Sequence, residues 1–279
     1  MSLKLIADSG STKTHWLIKN ESKIIREFYT QGVNPYFVST DDLIVILISN
    51  ISTEERNSIS QVQFYGAGCS GDEKCNIIKS AFIKLFANAN IEVNSDLLGS
   101  AIALFPIGNG VACILGTGSN AAVFVDGAFS DSISSLGYVL GDQGSGSYLG
   151  KTLIADYFQN KMPEELRIKF SEKFEIDYQQ VLNSVYKQSY PNRYLAQFTI
   201  FLSENRGETY VEELLRASFQ AFINSQLSTL DFDKSKLKVG FVGSIAFYFK
   251  DVLIAVLEEN GYMVSTIIKE PMDGLVFKH

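Results

Sequence analysis

Apolar residues along this chain fall into short runs, each ended by a cluster of glycine, hydroxyl or amide side chains. Residues 3–7, 14–19 and 24–29 read as three strands, the last two joined across Asn20-Glu21-Ser22, a hairpin turn. Residues 41–49 are apolar with a break that suits a helix, and 62–65 form another strand. Ile77, Ile78, Ala81, Phe82, Leu85 and Phe86 share one face of a helix, 91–93 is a short strand, and a helix is expected from Asp96 to Leu104. Pro106-Ile107-Gly108-Asn109-Gly110 has the composition of a domain junction.

The pattern then restarts. Strands at 111–115 and 121–125 flank Gly116-Thr117-Gly118-Ser119-Asn120, and the chain turns helical beyond Gly150. Val211, Leu214, Leu215, Phe219, Phe222, Ile223 and Leu230 trace its clearest amphipathic stripe. Residues 238–242 return to strand and stop at Gly243-Ser244 before a helix expected over 245–258. Each half therefore opens on strands joined by a hydroxyl-rich turn and continues into helices, an internal duplication of architecture without sequence identity. Two α/β domains follow, 1–106 and 107–279, the second with a helical insertion at about 160–205.

Composition narrows the function classes. The 279 residues are 46% apolar and 20% charged, enough for a large core without metals or disulfides. A net charge of −7 leaves too few cations to favour nucleic acid, and no apolar run is long enough to span a membrane. Met1-Ser2-Leu3-Lys4-Leu5-Ile6-Ala7-Asp8 reaches an acid too early for a signal peptide, and Cys69, Cys75 and Cys113 lack CxxC spacing, so a reduced cytoplasmic protein is expected. With only His15 and His279, most zinc sites are excluded, as is any Ser-His-Asp triad that does not use His15.

The turn Asp8-Ser9-Gly10-Ser11-Thr12-Lys13-Thr14 could be no more than a polar hairpin tip. Its chemistry suits phosphate: Gly10 lets backbone N–H groups approach an anion, and Ser11, Thr12 and Thr14 offer hydroxyl donors. Asp8 at the strand end would hold Mg²⁺, through water, because magnesium keeps much of its hydration shell. No GxxxxGK[ST] loop is present, so this is a different cradle from a P-loop. Gly116-Thr117-Gly118-Ser119-Asn120 repeats the chemistry, and two such turns suit the phosphates of a nucleotide triphosphate. Gly66-Ala67-Gly68-Cys69-Ser70-Gly71 matches GxGxxG, with Glu92 near the place of a ribose-binding acid. A dinucleotide site there would leave both hydroxyl clusters unexplained, so a glycine turn lining a site is the preferred alternative. Asp96 is either a helix cap or the base that takes a substrate hydroxyl proton. Asp142, in Gly141-Asp142-Gln143-Gly144-Ser145, is either part of a flexible loop or a carboxylate for sugar hydroxyls.

Taken in order, these motifs resemble the N-acetylglucosamine kinase-like branch of the BadF/BadG-type ATPases, in the actin/hexokinase/Hsp70 superfamily. The resemblance spans nearly the whole chain. It implies a two-domain, actin-like (ribonuclease H-like) α/β fold with a mixed sheet in each domain, ATP and Mg²⁺ in the cleft, and closure over a small-molecule sugar. By matching motif, Gly10, Ser11, Thr12, Thr14, Gly116 and Thr117 would address the phosphates, Asp8 the metal, and Gly243 and Ser244 the adenosine. Asn34, Asp96, Ser119, Asn120, Gly137 and Asp142 would hold the sugar, with Asp96 as base toward its 6-hydroxyl. Ser135-Leu136-Gly137 stands where the animal kinases carry Gly-Trp-Gly, next to the expected N-acetyl pocket. The resemblance implies a kinase for N-acetylglucosamine, with glucosamine or N-acetylmuramic acid as alternative acceptors. An ATP-driven activator that shares an iron–sulfur cluster, or a sugar-sensing module without turnover, are the other classes. Neither nucleic acid nor membrane is an expected partner, and a homodimer is one arrangement the chain allows.

Overall fold

The computed structural model describes residues 2–278. They form two compact units, one running to Pro106 and resuming at Pro271, the other spanning Ile107–Glu270. The first unit is built on β1 (Leu3–Ser9), β2 (Lys13–Lys19), β3 (Ile24–Gln31), β4 (Ile59–Gly66) and β5 (Asn90–Ser95). Their order is β3-β2-β1-β4-β5, antiparallel across the hairpins and parallel from β1 to β4 to β5. The second unit uses β6 (Gly110–Leu115), β7 (Ser119–Val125), β8 (Ala128–Ser132), β9 (Val239–Val242) and β10 (Val264–Ile268). Its order, β10-β9-β6-β7-β8, repeats the same arrangement of hairpins and parallel neighbours. This is the α/β, one-mixed-sheet-per-domain architecture that the resemblance implies.

Central strands are apolar because both faces are covered. In β1, Leu5, Ile6 and Ala7 are all fully buried. On one face, Leu5, Ala7, Trp16 and Ile18 meet the helix Asp72–Leu85, where Trp16, Phe64 and Phe82 form an aromatic cluster with ring centroids 5.7–6.4 Å apart. On the other face, Ile6, Leu17 and Tyr65 pack with Met272 and Leu275. That second contact corrects the expected domain boundary. The helix Met272–Lys278 belongs to the first unit, and Gly274 lies so close to the helix Asp96–Leu104 that a Cβ would stand 2.6 Å from the Ala103 carbonyl oxygen.

In the second unit Val111, Cys113 and Leu115 of β6 join a core with Phe219, Phe222 and Ile223 of the helix Thr209–Ser225, so the amphipathic stripe is a core face. The stretch at about 160–205 folds as the helices Glu164–Phe174, Tyr178–Tyr186, Pro191–Ala196 and Ile200–Glu204, joined to this core through Phe170, Phe198 and Phe201. The single helix expected over 245–258 is two, Ser244–Tyr248 and Lys250–Glu259, broken at the buried Phe249.

Candidate active site

In the first unit the parallel register brings one set of strand ends level. Ser9 pairs with Gly66 and Gly66 with Ser95, so Asp8, the 66–71 loop and Asp96 emerge along a single edge. Ligands of parallel α/β sheets bind at the carboxyl ends of strands. Ser11, Thr12 and the half-buried Asp8 and Gly10 form the accessible part of the first turn, which a Gly10 N–H to Lys13 carbonyl bond of 3.0 Å closes. Gly32, the first residue of the loop after β3, lies beneath it. A Cβ there would stand 2.5 Å from the Gly10 carbonyl oxygen and 2.7 Å from that of Ser11.

Thr14, expected at the phosphates, is instead fully buried. Its hydroxyl lies 2.7 Å from Ser9 Oγ, donates to the Gln31 carbonyl at 3.1 Å and accepts the Val33 N–H at 3.1 Å. Ser9 Oγ also accepts the Val33 N–H and donates to the Val33 carbonyl, both at 2.9 Å. The two hydroxyls thus clamp the first turn to the loop after β3. Thr14→Val should lower unfolding stability by about 1–3 kcal/mol, because buried backbone partners lose a hydrogen bond. A denaturation midpoint checks this, and a large accompanying loss of ATP affinity would return Thr14 to the phosphate contacts.

Asp96 does not cap its helix. Ser95 does, its hydroxyl accepting the Leu98 N–H at 3.2 Å, while Asp96 Oδ1 accepts the adjacent Leu97 N–H at 2.9 Å. Burial raises the Asp96 carboxyl to about 6, against the opposing pull of backbone N–H groups. Cys69 lies near enough to feel that charge, and burial pushes its thiol up to about 12, so it is an inert neighbour. Asn34 also reaches this edge. Its Oδ1 accepts the Tyr36 N–H at 3.0 Å, and a Cβ on Gly68 would collide with its amide. Gly68 is therefore glycine to admit Asn34 as well as to adopt its φ of 81°. The dinucleotide alternative fails locally. The helix after the 66–71 loop opens on Asp72-Glu73, which repel phosphate, and Glu92 pairs mid-strand with Gln63 instead of ending β5.

The second unit builds its turn in the corresponding place, after β6. The Gly116 N–H donates to the Gly118 carbonyl, and the Gly116 and Thr117 carbonyls accept the Gly146 and Ser147 N–H groups at 2.8 and 3.0 Å. The helix Gly146–Phe158 thus spends its first N–H groups holding the turn. Gly243 ends β9 beside it with φ of 127°, and Ser244 is exposed.

Asp142 braces this turn from the other side. It is buried, with left-handed backbone, and its Oδ1 accepts the Ser119 N–H at 3.1 Å. Burial raises its carboxyl, while the Ser119 N–H and Lys151 oppose the shift. A cavity of about 240 Å³ opens here, lined by Ser119, Asn120 and Asp142 together with Ile133, Ser135, Leu136, Leu140 and Gln226. Three expected sugar residues therefore meet in one cavity. Gly137 does not line it; it starts the four-residue helix Gly137–Leu140, with φ of 68°.

Among the described residues no three His, Cys, Asp or Glu side chains gather as a metal cage, and no helix is long and apolar enough to cross a membrane. A single half-buried carboxylate at a strand end, Asp8, suits a metal that takes its other ligands from phosphate and water.

No protein-family model matches the sequence, and no curated protein does. Solved structures do. The putative N-acetylglucosamine kinase of Porphyromonas gingivalis is 35% identical, with a TM-score of 0.92 over 100% of this chain and 98% of that one. The Chromobacterium violaceum protein given the same description is 13% identical, with a TM-score of 0.70 over 99% and 98%. A ROK family glucokinase from Streptomyces griseus, solved with glucose and AMPPNP, is 13% identical, with a TM-score of 0.60 over 99% and 97%. The last two share the fold; the first, similar along its full length, shows more. The chain belongs to the N-acetylglucosamine kinase-like family of sugar kinases, within the actin/hexokinase/Hsp70 superfamily.

Proposed function

We propose that this kinase transfers the γ-phosphoryl group of Mg-ATP to the 6-hydroxyl of N-acetylglucosamine, with Asp96 as the base. The observation that carries this is Asp96 itself, a carboxylate at a strand end whose proton affinity is raised to about 6 and which its own helix does not use as a cap. A base titrating there accepts a hydroxyl proton more readily than an ordinary carboxylate, yet is ionised at neutral pH. The sugar oxygen forms its bond to the γ-phosphorus as the bond to the β–γ bridging oxygen breaks, ADP leaves with that electron pair, and Asp96 receives the proton.

The residues otherwise position and exclude. Gly10, Ser11 and Thr12 in one turn, and Gly116 and Thr117 in the other, would offer N–H and hydroxyl donors to phosphate oxygens. Asp8 would hold magnesium through water, and the ion would neutralise charge on those oxygens. Gly243 and Ser244 would border the adenosine, Asn34 the sugar, and Ser119, Asn120 and Asp142 its hydroxyls. The name borne by the Porphyromonas relative, at 35% identity, supports the amino sugar, and AMPPNP in the Streptomyces glucokinase supports ATP.

The test is ADP release over hexoses and amino sugars with Mg-ATP, followed by phosphorus NMR of the product. N-acetylglucosamine should give the highest kcat/KM, above glucosamine, glucose and N-acetylmuramic acid, and the product should be the 6-phosphate. ATP hydrolysis indifferent to every sugar, in a brown iron-containing protein, would instead make the chain an activator.

A further inference from the structure

Among the described residues His15 is the one histidine, and neither hydroxyl-rich turn nor the sugar cavity uses it. It lies in β2 and is 5% exposed. Burying an imidazole is costly unless its polar atoms are held. Its Nε2–H donates to the Glu27 carboxylate, and its ring stacks on Tyr29 with centroids 4.3 Å apart. Lys13 Nζ in turn stands 4.9 Å from the centre of the Tyr29 ring. A carboxylate can only accept, so the bond to Glu27 fixes a proton on Nε2 and with it the orientation of the ring. Glu27 and Tyr29 are themselves about half exposed, so β3 supports this one histidine from the solvent side.

What the histidine stands beside is Asp8. The antiparallel register sets Asp8 directly opposite His15, and the parallel register sets Tyr65 opposite Asp8 on the other flank. Directly opposed side chains share a sheet face, with Cβ atoms about 4.5–5.5 Å apart in an antiparallel pair. The half-buried Asp8 is therefore bracketed by two rings. Tyr65 is 2% exposed, and Gly99 approaches it so closely that an added Cβ would stand 2.8 Å from Tyr65 Cβ. Glu27 and Tyr29 hold the other ring. An apolar side chain would fill the space of His15 equally well, but Glu27 could not pin it.

We propose that His15 is a positioning residue for the metal: pinned by Glu27 and Tyr29, its ring fixes the Asp8 carboxylate in the direction from which it holds magnesium through water. This rests on the reading of Asp8 as the carboxylate that serves the metal. His15 acts through Asp8 and donates nothing to the ion. The gain is preorganisation, because a carboxylate already confined loses less freedom when the hydrated ion arrives.

The experiment is calorimetric titration of ADP, with Mg²⁺ and again with EDTA, into wild type, His15→Phe, His15→Gln and Asp8→Asn. The ratio of the two ADP affinities reads the metal's contribution without turnover or sugar. Asp8→Asn should remove most of that ratio. His15→Phe keeps a ring but loses the bond to Glu27, and should lower the ratio by about fivefold or more. Its ADP affinity in EDTA should stay within twofold of wild type. His15→Gln, whose amide N–H still reaches toward Glu27, should recover part of the loss. A ratio within twofold of wild type in His15→Phe overturns the inference. Equal losses with Mg²⁺ and with EDTA also overturn it, since that is the mark of a merely structural defect. A wild-type ratio in Asp8→Asn overturns the metal reading of Asp8 and the inference together. Thermal melts identify a misfolded His15→Phe, and Glu27→Ala, at an exposed position, then takes its place under the same criteria.

Discussion

Asp96→Asn should lower kcat by roughly a hundred- to ten-thousand-fold, the range for loss of a positioned general base, while leaving ATP affinity close to wild type. Asparagine keeps an oxygen for the Leu97 N–H and fills the same space, so the helix start survives. The same substitution should stabilise the fold at neutral pH. Because burial raises the folded carboxyl to about 6, above its ordinary 3.8, the folded state binds the proton more tightly than the unfolded chain. The ionised form therefore costs stability, in full above about pH 6 and not at all below the unfolded value. A shift of this size in a half-buried group corresponds to about 1–3 kcal/mol. Asp96→Asn should then melt higher at pH 8 and unchanged at pH 3.5. Wild-type kcat/KM should fall tenfold per unit as pH drops below about 6. A rate that stays flat to pH 5, or an active Asp96→Asn, removes Asp96 from the chemistry.

Gly243→Ala should be the most damaging single methyl group in the second unit's turn. Its φ of 127° is open to glycine and rarely to other residues, and the added Cβ would stand 2.3 Å from the Leu115 carbonyl oxygen and 3.0 Å from the Gly116 nitrogen. Both are backbone atoms of β6 and the turn that follows it, and β9 is hydrogen-bonded to β6 through the Ile114–Val242 pairing, so neither side can yield alone. Backbone strain and overpacking together predict a loss of roughly 2–5 kcal/mol and a fall in ATP affinity of more than tenfold. Urea denaturation and nucleotide titration measure the two effects. The exposed Ser244, changed to alanine, should move stability by less than about 0.5 kcal/mol. Equal, small effects from both substitutions would show that the close approach is not a constraint.

Most of the scaffold was legible because central strands are apolar on both faces and end abruptly at glycine and hydroxyl clusters. Edge strands were harder. In β10, Val264-Ser265-Thr266-Ile267-Ile268 has no clean alternation, since a strand with one neighbour buries little. Thr14 carries a different lesson. It lies two residues before Trp16, so the period of two places it on the same face as the aromatic cluster, a signal present in the sequence but outweighed by its polar neighbours. Asp96 was legible as a candidate, but that the helix takes Ser95 and not Asp96 as its cap required the structure.

The return of Met272 and Leu275 to Ile6, Leu17 and Tyr65 reverses the usual order of maturation during synthesis. Domains of a growing chain ordinarily complete themselves from the amino terminus. Here the second unit is continuous, so all its residues are translated while the first still lacks one of the two helices that pack on this face of its sheet. Until residues 272–275 emerge, Ile6, Leu17 and Tyr65 keep only the cover that Ile102 and Ala103 of the helix Asp96–Leu104 give them.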